Sequence, residues 1–218
     1  MSVFLTGTDT GVGKTHTAIT LLRLARGAGL RCAGMKPICC GDRRDAELLL
    51  AESSEGLTID ELNPVWLKTP AAPLTGSLIE GVEIDTRAIL AQFHALKARF
   101  DAVVVEGVGG WLVPIRREYF VSDLAKDMAL PIALVVLNRL GCLNHTMLTI
   151  RSIAAHGLTC AGITLNTVEG IADLARSTNK DVLAAISGVP ILPELHTDIS
   201  ELPREWREIL VSRDKPQP

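Results

Sequence analysis

Gly7, Gly11 and Gly13 run straight into Lys14-Thr15, directly after the apolar run Val3-Phe4-Leu5 and before a helix-like pattern. Glycines at a strand-to-helix turn let the backbone aim its N–H groups at a polyphosphate. The helix that follows adds its own unpaired N–H groups and the positive end of its dipole. In that setting Lys14 reaches the β- and γ-phosphates, and the Thr15 hydroxyl ligates Mg²⁺. Gly7 and Gly13 enclose five residues, one more than the usual phosphate-loop spacing. The competing reading is a glycine-rich turn without a ligand.

A second acid-bearing stretch is Asp101-Ala102-Val103-Val104-Val105-Glu106, followed by Gly107-Val108-Gly109-Gly110. An apolar strand that ends in a carboxylate beside a phosphate loop is a Walker-B-like arrangement, able to hold Mg²⁺ directly or through water. Lys36 stands where the strand Arg31–Met35 should end, because Pro37 cannot continue a central strand. Asp45 lies near the start of a helix expected over 42–55, and by pattern alone it compensates that helix's dipole.

These side chains need a scaffold. Apolar runs at Val3–Leu5, Arg31–Met35, Asp101–Glu106, Pro131–Leu137, Cys160–Leu165 and Val189–Leu192 read as strands. Helical spacing marks 16–27, 85–97 (capped by Asp85), 121–129, 141–156, 171–186 and 203–211. Residues 38–41 read as a short loop, and the proline-rich 56–84 as loop and short helix of the kind that often covers a site. Strand and helix alternation implies an α/β fold with a mainly parallel sheet flanked by helices in three layers. Ligands in such sheets sit beyond the carboxyl ends of the strands. Lys36, Glu106, Gly141 to Asn144, Asn166 and Pro193-Glu194 all follow strands, so they can meet the phosphate loop on one rim.

The whole chain sets bounds. Its 218 residues suit one domain, with 213–218 a polar tail expected to fray. A net charge of −3 gives no reason to expect nucleic acid or an anionic membrane as partner. No apolar run reaches membrane-spanning length. The chain goes from Met1 into a strand with no exporting leader, and five cysteines show neither a disulfide framework nor a zinc pair. A cytoplasmic protein with reduced thiols is the expectation.

The motifs together resemble the dethiobiotin synthetases. The resemblance rests on Thr6 to Thr15, Gly34-Met-Lys-Pro37, Val105-Glu-Gly-Val-Gly-Gly-Trp111 and Leu140-Gly-Cys-Leu-Asn-His-Thr-Met-Leu148, and covers nearly the whole chain. Family members share the five-residue spacing of the phosphate loop. The resemblance implies a P-loop NTPase-like ligase that joins 7,8-diaminopelargonic acid and CO₂ with MgATP, through a carbamate and its phosphorylated form, to dethiobiotin, ADP and phosphate. It implies that Thr10, Gly11, Val12, Gly13, Lys14 and Thr15 hold phosphates, with Thr10, Lys14 and Lys36 serving the chemistry. Thr15, Asp45 and Glu106 would surround Mg²⁺, which replaces the dipole reading of Asp45. Asn166 would read adenine, with Pro193 and Glu194. Lys36, Cys40 and Gly109 would face the diamine, and Leu143 and Asn144 would take its carboxylate from a neighbouring subunit, so a homodimer follows.

The chain departs from the family in three places. Cys40 stands where many relatives have serine, Gly11 replaces an acid of some members, and Thr69–Ser77 lacks the usual Ser-Pro-His wording. Cys40 and the altered 69–77 segment leave a non-catalytic relative open as one alternative. An amidating relative would need a glutaminase domain, and a partitioning ATPase a basic or membrane-binding surface; neither is expected here.

Overall fold

Runs such as Val3-Phe4-Leu5 and Ile132–Val136 are apolar at consecutive positions, so both faces of their sheet must be covered. The computed structural model describes residues 2–167 and 174–211. In chain order the first half holds β1 (Ser2–Gly7), α1 (Lys14–Gly27), β2 (Cys32–Met35), β3 (Ile38–Cys40), α2 (Arg44–Glu52), α3 (Ile59–Leu62), β4 (Val65–Leu67), α4 (Pro73–Glu80) and α5 (Thr86–Arg99). Then come β5 (Ala102–Gly110), β6 (Pro114–Arg116), β7 (Tyr119–Phe120), α6 (Val121–Met128), β8 (Ile132–Leu137), α7 (Cys142–Ala155), β9 (Cys160–Asn166), α8 (Leu174–Ile186) and α9 (Arg204–Val211).

The main sheet is parallel throughout, in the order β2-β5-β1-β8-β9. Its side chains alternate between two cores, broken only by an irregularity at the start of β9. Val3, Leu5, Val104 and Val135 pack under α1, α2 and α9, whereas Phe4, Met35, Val105 and Leu134 pack under α5, α6 and α7. The expected three-layer architecture is present. α1 follows β1 on one face and α6 follows β5 on the other, so the chain diverges between two neighbouring strands. A crevice opens beyond their carboxyl ends, as at any such switch point.

Several local expectations change. Residues 38–41 are not simply loop: Ile38, Cys39 and Cys40 pair in parallel with Val65, Trp66 and Leu67. Stretches this short have no legible period, and only the pairing makes them strands. The segment 56–84 accordingly holds a strand as well as short helices. Glu106 does not end its strand. β5 runs on to Gly110, and its partner on β1 moves only from Leu5 to Gly7 while β5 moves from Glu106 to Gly110. The glycines absorb the excess as a bulge. Gly109 has φ 62°, and a Cβ there would lie 2.7 Å from Val113 Cγ2. Val189–Leu192 contributes one bridge, Ile191 to Ile163, instead of a strand. β6 and β7 form a small antiparallel hairpin that the sequence pattern did not suggest. The expected tail at 213–218 and the start of the 171–186 helix lie outside the described residues.

α9 closes the α1 side of the sheet. Trp206 is fully buried there, and its Nε1 donates to the Pro193 carbonyl at 2.9 Å. Trp206→Ala is expected to destabilise the protein by about 3–5 kcal/mol, because both a large cavity and an unpaired carbonyl result. Urea unfolding followed by far-UV circular dichroism measures this, and an unchanged midpoint would refute the role given to α9.

Candidate nucleotide and cation site

The phosphate loop joins β1 to α1, and its glycines answer specific demands. Gly13 has φ 90°, and a Cβ on it would meet Asn166 Nδ2 at 2.3 Å. A Cβ on Gly7 would lie 2.7 Å from Val12 Cγ2 and 3.0 Å from Lys14 Nζ. Val12 is buried in the core under α1, which anchors the loop. Lys14 is also buried and crosses back over the loop, donating from Nζ to the Asp9 carbonyl at 2.9 Å. Thr10 and Gly11 stay exposed at the crest.

Strand alternation sends Glu106 to the α1/α2 face of the sheet, beneath the first turns of both helices. Thr15 lies in the first turn of α1 and Asp45 in the first turn of α2. The Thr15 hydroxyl donates to Glu106 Oε1 at 2.9 Å. Lys36 Nζ donates to the same Oε1 at 2.6 Å and to Asp45 Oδ2 at 2.8 Å. Lys36 is 4% exposed and Glu106 1%. Burial alone would lower the Lys36 pKa, but Glu106, and then Asp45, more than reverse this and raise it. Burial raises the Asp45 pKa, yet attraction to Lys36 and hydrogen bonds from Lys36 and Thr15 outweigh that and lower it. Glu106 Oε2 is buried and has no hydrogen-bond partner.

Two clefts flank the loop. The larger, about 700 Å³, has Lys14, Thr15, Lys36, Asp45 and Glu106 on its floor. Its far wall is mostly apolar: Ile38, Cys39, Cys40, Pro70 to Pro73, Val108, Gly109 and Val113. Burial, and next the Glu80 carboxylate, push the Cys40 thiol up to about 11, so it faces the cleft as a neutral weak donor. The second cleft, about 600 Å³, lies on the other side of Gly11–Gly13 and includes His16, Asn166, Thr167, Glu194, His196 and Asp198.

The remaining expected site residues fall in different places. Asn166 edges the second cleft, but its Nδ2 donates to the Val12 and Gly13 carbonyls at 2.9 and 3.1 Å. Glu194 lines that cleft and accepts hydrogen bonds from the Thr167 N–H and hydroxyl. Pro193 lies behind it, its carbonyl held by Trp206. Leu143 and Asn144, in the first turn of α7, line neither cleft of their own chain. Pro70 to Pro73 belong to the proline-containing stretch expected to cover a site, and they line the larger cleft; Val113, His16 and Asp198 were not singled out from sequence. Only the position of His16 beside Thr15 offered a signal, since the others arrive through loop placement.

Residues 1–200 match the AAA domain family. The ATP-dependent dethiobiotin synthetase of Akkermansia muciniphila is 45% identical over 191 residues, which span 88% of this chain and 90% of that protein. The enzyme of the same name from Aromatoleum aromaticum is 45% identical over 197 residues, 87% of each. The chain belongs to the ATP-dependent dethiobiotin synthetase family. Its fold extends further: the cell division ATPase MinD of Pyrococcus furiosus superposes with a TM-score of 0.53 at 20% identity, covering 90% of this chain and 84% of that one. The dethiobiotin synthetase family thus shares its fold with ATPases of other families.

Charge crowding has a measurable consequence. Burial, and next the Lys36 ammonium, lower the Lys14 pKa to about 8. A bound polyphosphate raises it again, so nucleotide binding takes up a proton once the pH exceeds that value. Affinity for ATP is expected to be flat below pH about 8 and to fall by up to about tenfold per unit above it. Calorimetric titration in buffers of different ionisation enthalpy reads the uptake, and its absence one unit above the Lys14 pKa would contradict the assignment.

Proposed function

We propose that the protein is a dethiobiotin synthase of biotin synthesis, an ATP- and Mg²⁺-dependent ligase that carboxylates 7,8-diaminopelargonic acid with CO₂ and closes the ureido ring. Residues 1–218 would act as one ligase domain. The observation that carries the reading is the larger cleft itself. Two buried lysines and a phosphate loop form its floor, and an apolar wall faces them. A polyphosphate and a second anion fit the floor, and an aliphatic chain fits the wall.

The chemistry needs no protein nucleophile. One substrate amine adds to CO₂ as a carbamate, the carbamate oxygen takes the γ-phosphoryl group, and the second amine attacks the carbonyl carbon and expels phosphate. The difficulty is electrostatic. Unit charges about 4 Å apart repel by about 4 kcal/mol at an effective dielectric of about 20. Lys14 offsets this on the β- and γ-phosphates, and Lys36 lies where it can serve carbamate and γ-phosphate together. Such charges stabilise the transition state more than the ground state when they are fixed in advance. Thr10 and the backbone of Gly11–Gly13 orient the phosphates, while Cys40 and Gly109 border the diamine.

Mg²⁺ fits the oxygen set of Thr15, Asp45 and Glu106. The unpartnered Glu106 Oε2 is a buried, hard ligand atom that a cation would satisfy. Among the described residues no group of three or more His, Cys, Asp or Glu is arranged to hold a metal ion. Mg²⁺ commonly takes one or two carboxylates and completes its shell with phosphate oxygens and water, which suits this arrangement. The ion would supply Lewis-acid charge at the phosphates.

The second cleft suits the nucleoside, with Asn166, Pro193 and Glu194 assigned to adenine. For Asn166 that role requires its amide to exchange bonds now made to the loop. Leu143 and Asn144 would serve the diamine carboxylate of a second copy in a homodimer. Their position outside their own clefts, in the first turn of the helix that also exposes Leu148, supports that assignment. Among the described residues no helix is long and apolar enough to cross a membrane. No disulfide joins any of the five cysteines, which supports a cytoplasmic location.

Lys36→Ala is expected to lower kcat by at least about 100-fold while the Kd for MgATP changes by less than about threefold, since the loop contacts remain. Stopped turnover and fluorescent-nucleotide displacement measure the two, and normal turnover would remove Lys36 from the mechanism. The reaction itself is tested by phosphate release with MgATP and bicarbonate, with and without 7,8-diaminopelargonic acid, alongside mass detection of dethiobiotin. Diamine-dependent phosphate with matching product is expected. ATP binding without diamine-dependent turnover would redirect the function to another acceptor.

A further inference from the structure

The main chain of Lys36 is held from outside the main sheet. It lies between β2 and β3, and both of its backbone groups bond to one short segment. Its N–H donates to the Leu62 carbonyl at 3.0 Å, and its carbonyl accepts from Asn63 Nδ2 at 2.7 Å. Asn63 directly follows α3 and is 1% exposed. Its Nδ2 also donates to the Val65 carbonyl at 2.9 Å, and its Oδ1 accepts from Arg43 Nε at 2.8 Å. The amide orientation is unambiguous. Backbone carbonyls only accept and a guanidinium only donates, so a flipped amide would lose all three bonds.

The third bond leads back to the site. Arg43 immediately precedes α2, whose first turn carries Asp45. Its Nη2 donates to the Asn63 carbonyl at 2.8 Å and to Asp60 Oδ1 at 2.7 Å, and its guanidinium lies 5.0 Å from the centre of the Trp66 ring. One buried amide therefore links the main chain of Lys36 to the start of the helix that presents Asp45.

We propose that Asn63 is a positioning residue for Lys36. It sets the main-chain position from which the ammonium reaches Glu106 and Asp45, and through Arg43 it keeps α2 in register with that position. Asn63 borders neither cleft, so it touches no substrate. Its importance follows from tolerance: a displacement of about 1 Å in a positioned group can cost about 100-fold in rate.

The turnover measurement in the test rests on the ligase reading; a chemical measurement does not. Asn63→Ala and Arg43→Lys are compared with the unaltered protein for kcat, for MgATP Kd, and for acetylation of Lys36 by acetic anhydride mapped by mass spectrometry. Asn63→Ala is expected to lose about 30-fold or more in kcat, hold MgATP Kd within about twofold, and raise Lys36 acetylation by about fivefold. Arg43→Lys keeps the Asn63–Lys36 bond and is expected to lose about three- to tenfold in kcat. Unchanged kcat and unchanged acetylation in folded Asn63→Ala overturn the proposal. So does a matching loss of nucleotide affinity, which reduces Asn63 to general scaffolding. If Asn63→Ala does not fold, Arg43→Lys decides by the same readouts, with no change in either overturning the proposal. If the unaltered protein makes no dethiobiotin, the ligase reading fails and Lys36 acetylation alone decides the role of Asn63.

Discussion

The contact between Lys36 and Glu106 is the constraint on which the rest depends. Both side chains are almost wholly buried and lie 2.6 Å apart. Desolvating two charges is costly, and their attraction recovers this only where other groups complete the geometry. Thr15 completes Glu106, and Asp45 completes Lys36. Each of the four comes from a different segment, so the pair can exist only if β5, the end of β2, α1 and α2 are already in place. Such a cluster is weak evidence of stability and good evidence of function. A packed hydrophobic group would serve the core better than a carboxylate with one oxygen unpaired.

The bulge in β5 makes the arrangement possible. A strand that simply ended at Glu106 would leave its carboxylate at the rim, open to water. Continuing through Gly107–Gly110 carries the chain over the site, with Val108, Gly109 and then Val113 beyond it. Gly109 is needed there because a side chain would collide with Val113 and demand a left-handed backbone, and a Cβ on Gly107 would press on Phe4 at 3.2 Å. The polar floor and the apolar wall of the larger cleft thus both depend on one irregular strand.

The phosphate loop partitions the space. Gly11 and Gly13 border both clefts, so in the proposed binding mode a nucleotide with its phosphates in one would extend its nucleoside into the other. Asn166, Pro193 and Glu194 each have an internal partner in the loop, in α9 or at the end of β9. The second cleft is therefore braced from behind, and the brace includes Trp206, far from the phosphates in sequence.

The sequence by itself determined the strands and helices of the main sheet, the phosphate loop, and the rim where Lys36, Glu106 and Asn166 would gather. These are local properties: apolar runs long enough to show a period, glycines ahead of a lysine, a proline that stops a strand. Motif wording added Asp45, which periodicity alone had assigned to the helix dipole. Tertiary structure decided the rest. Ile38–Cys40 and Val65–Leu67 are too short to declare themselves strands and become so only by pairing with each other. The bulge after Glu106 depends on a neighbour whose register no single strand encodes. Asn63 reads as an ordinary residue before a proline. Its importance comes from where Lys36 and Arg43 bring their backbone and guanidinium, because hydrogen bonds between distant segments are set by packing and leave no period in the chain.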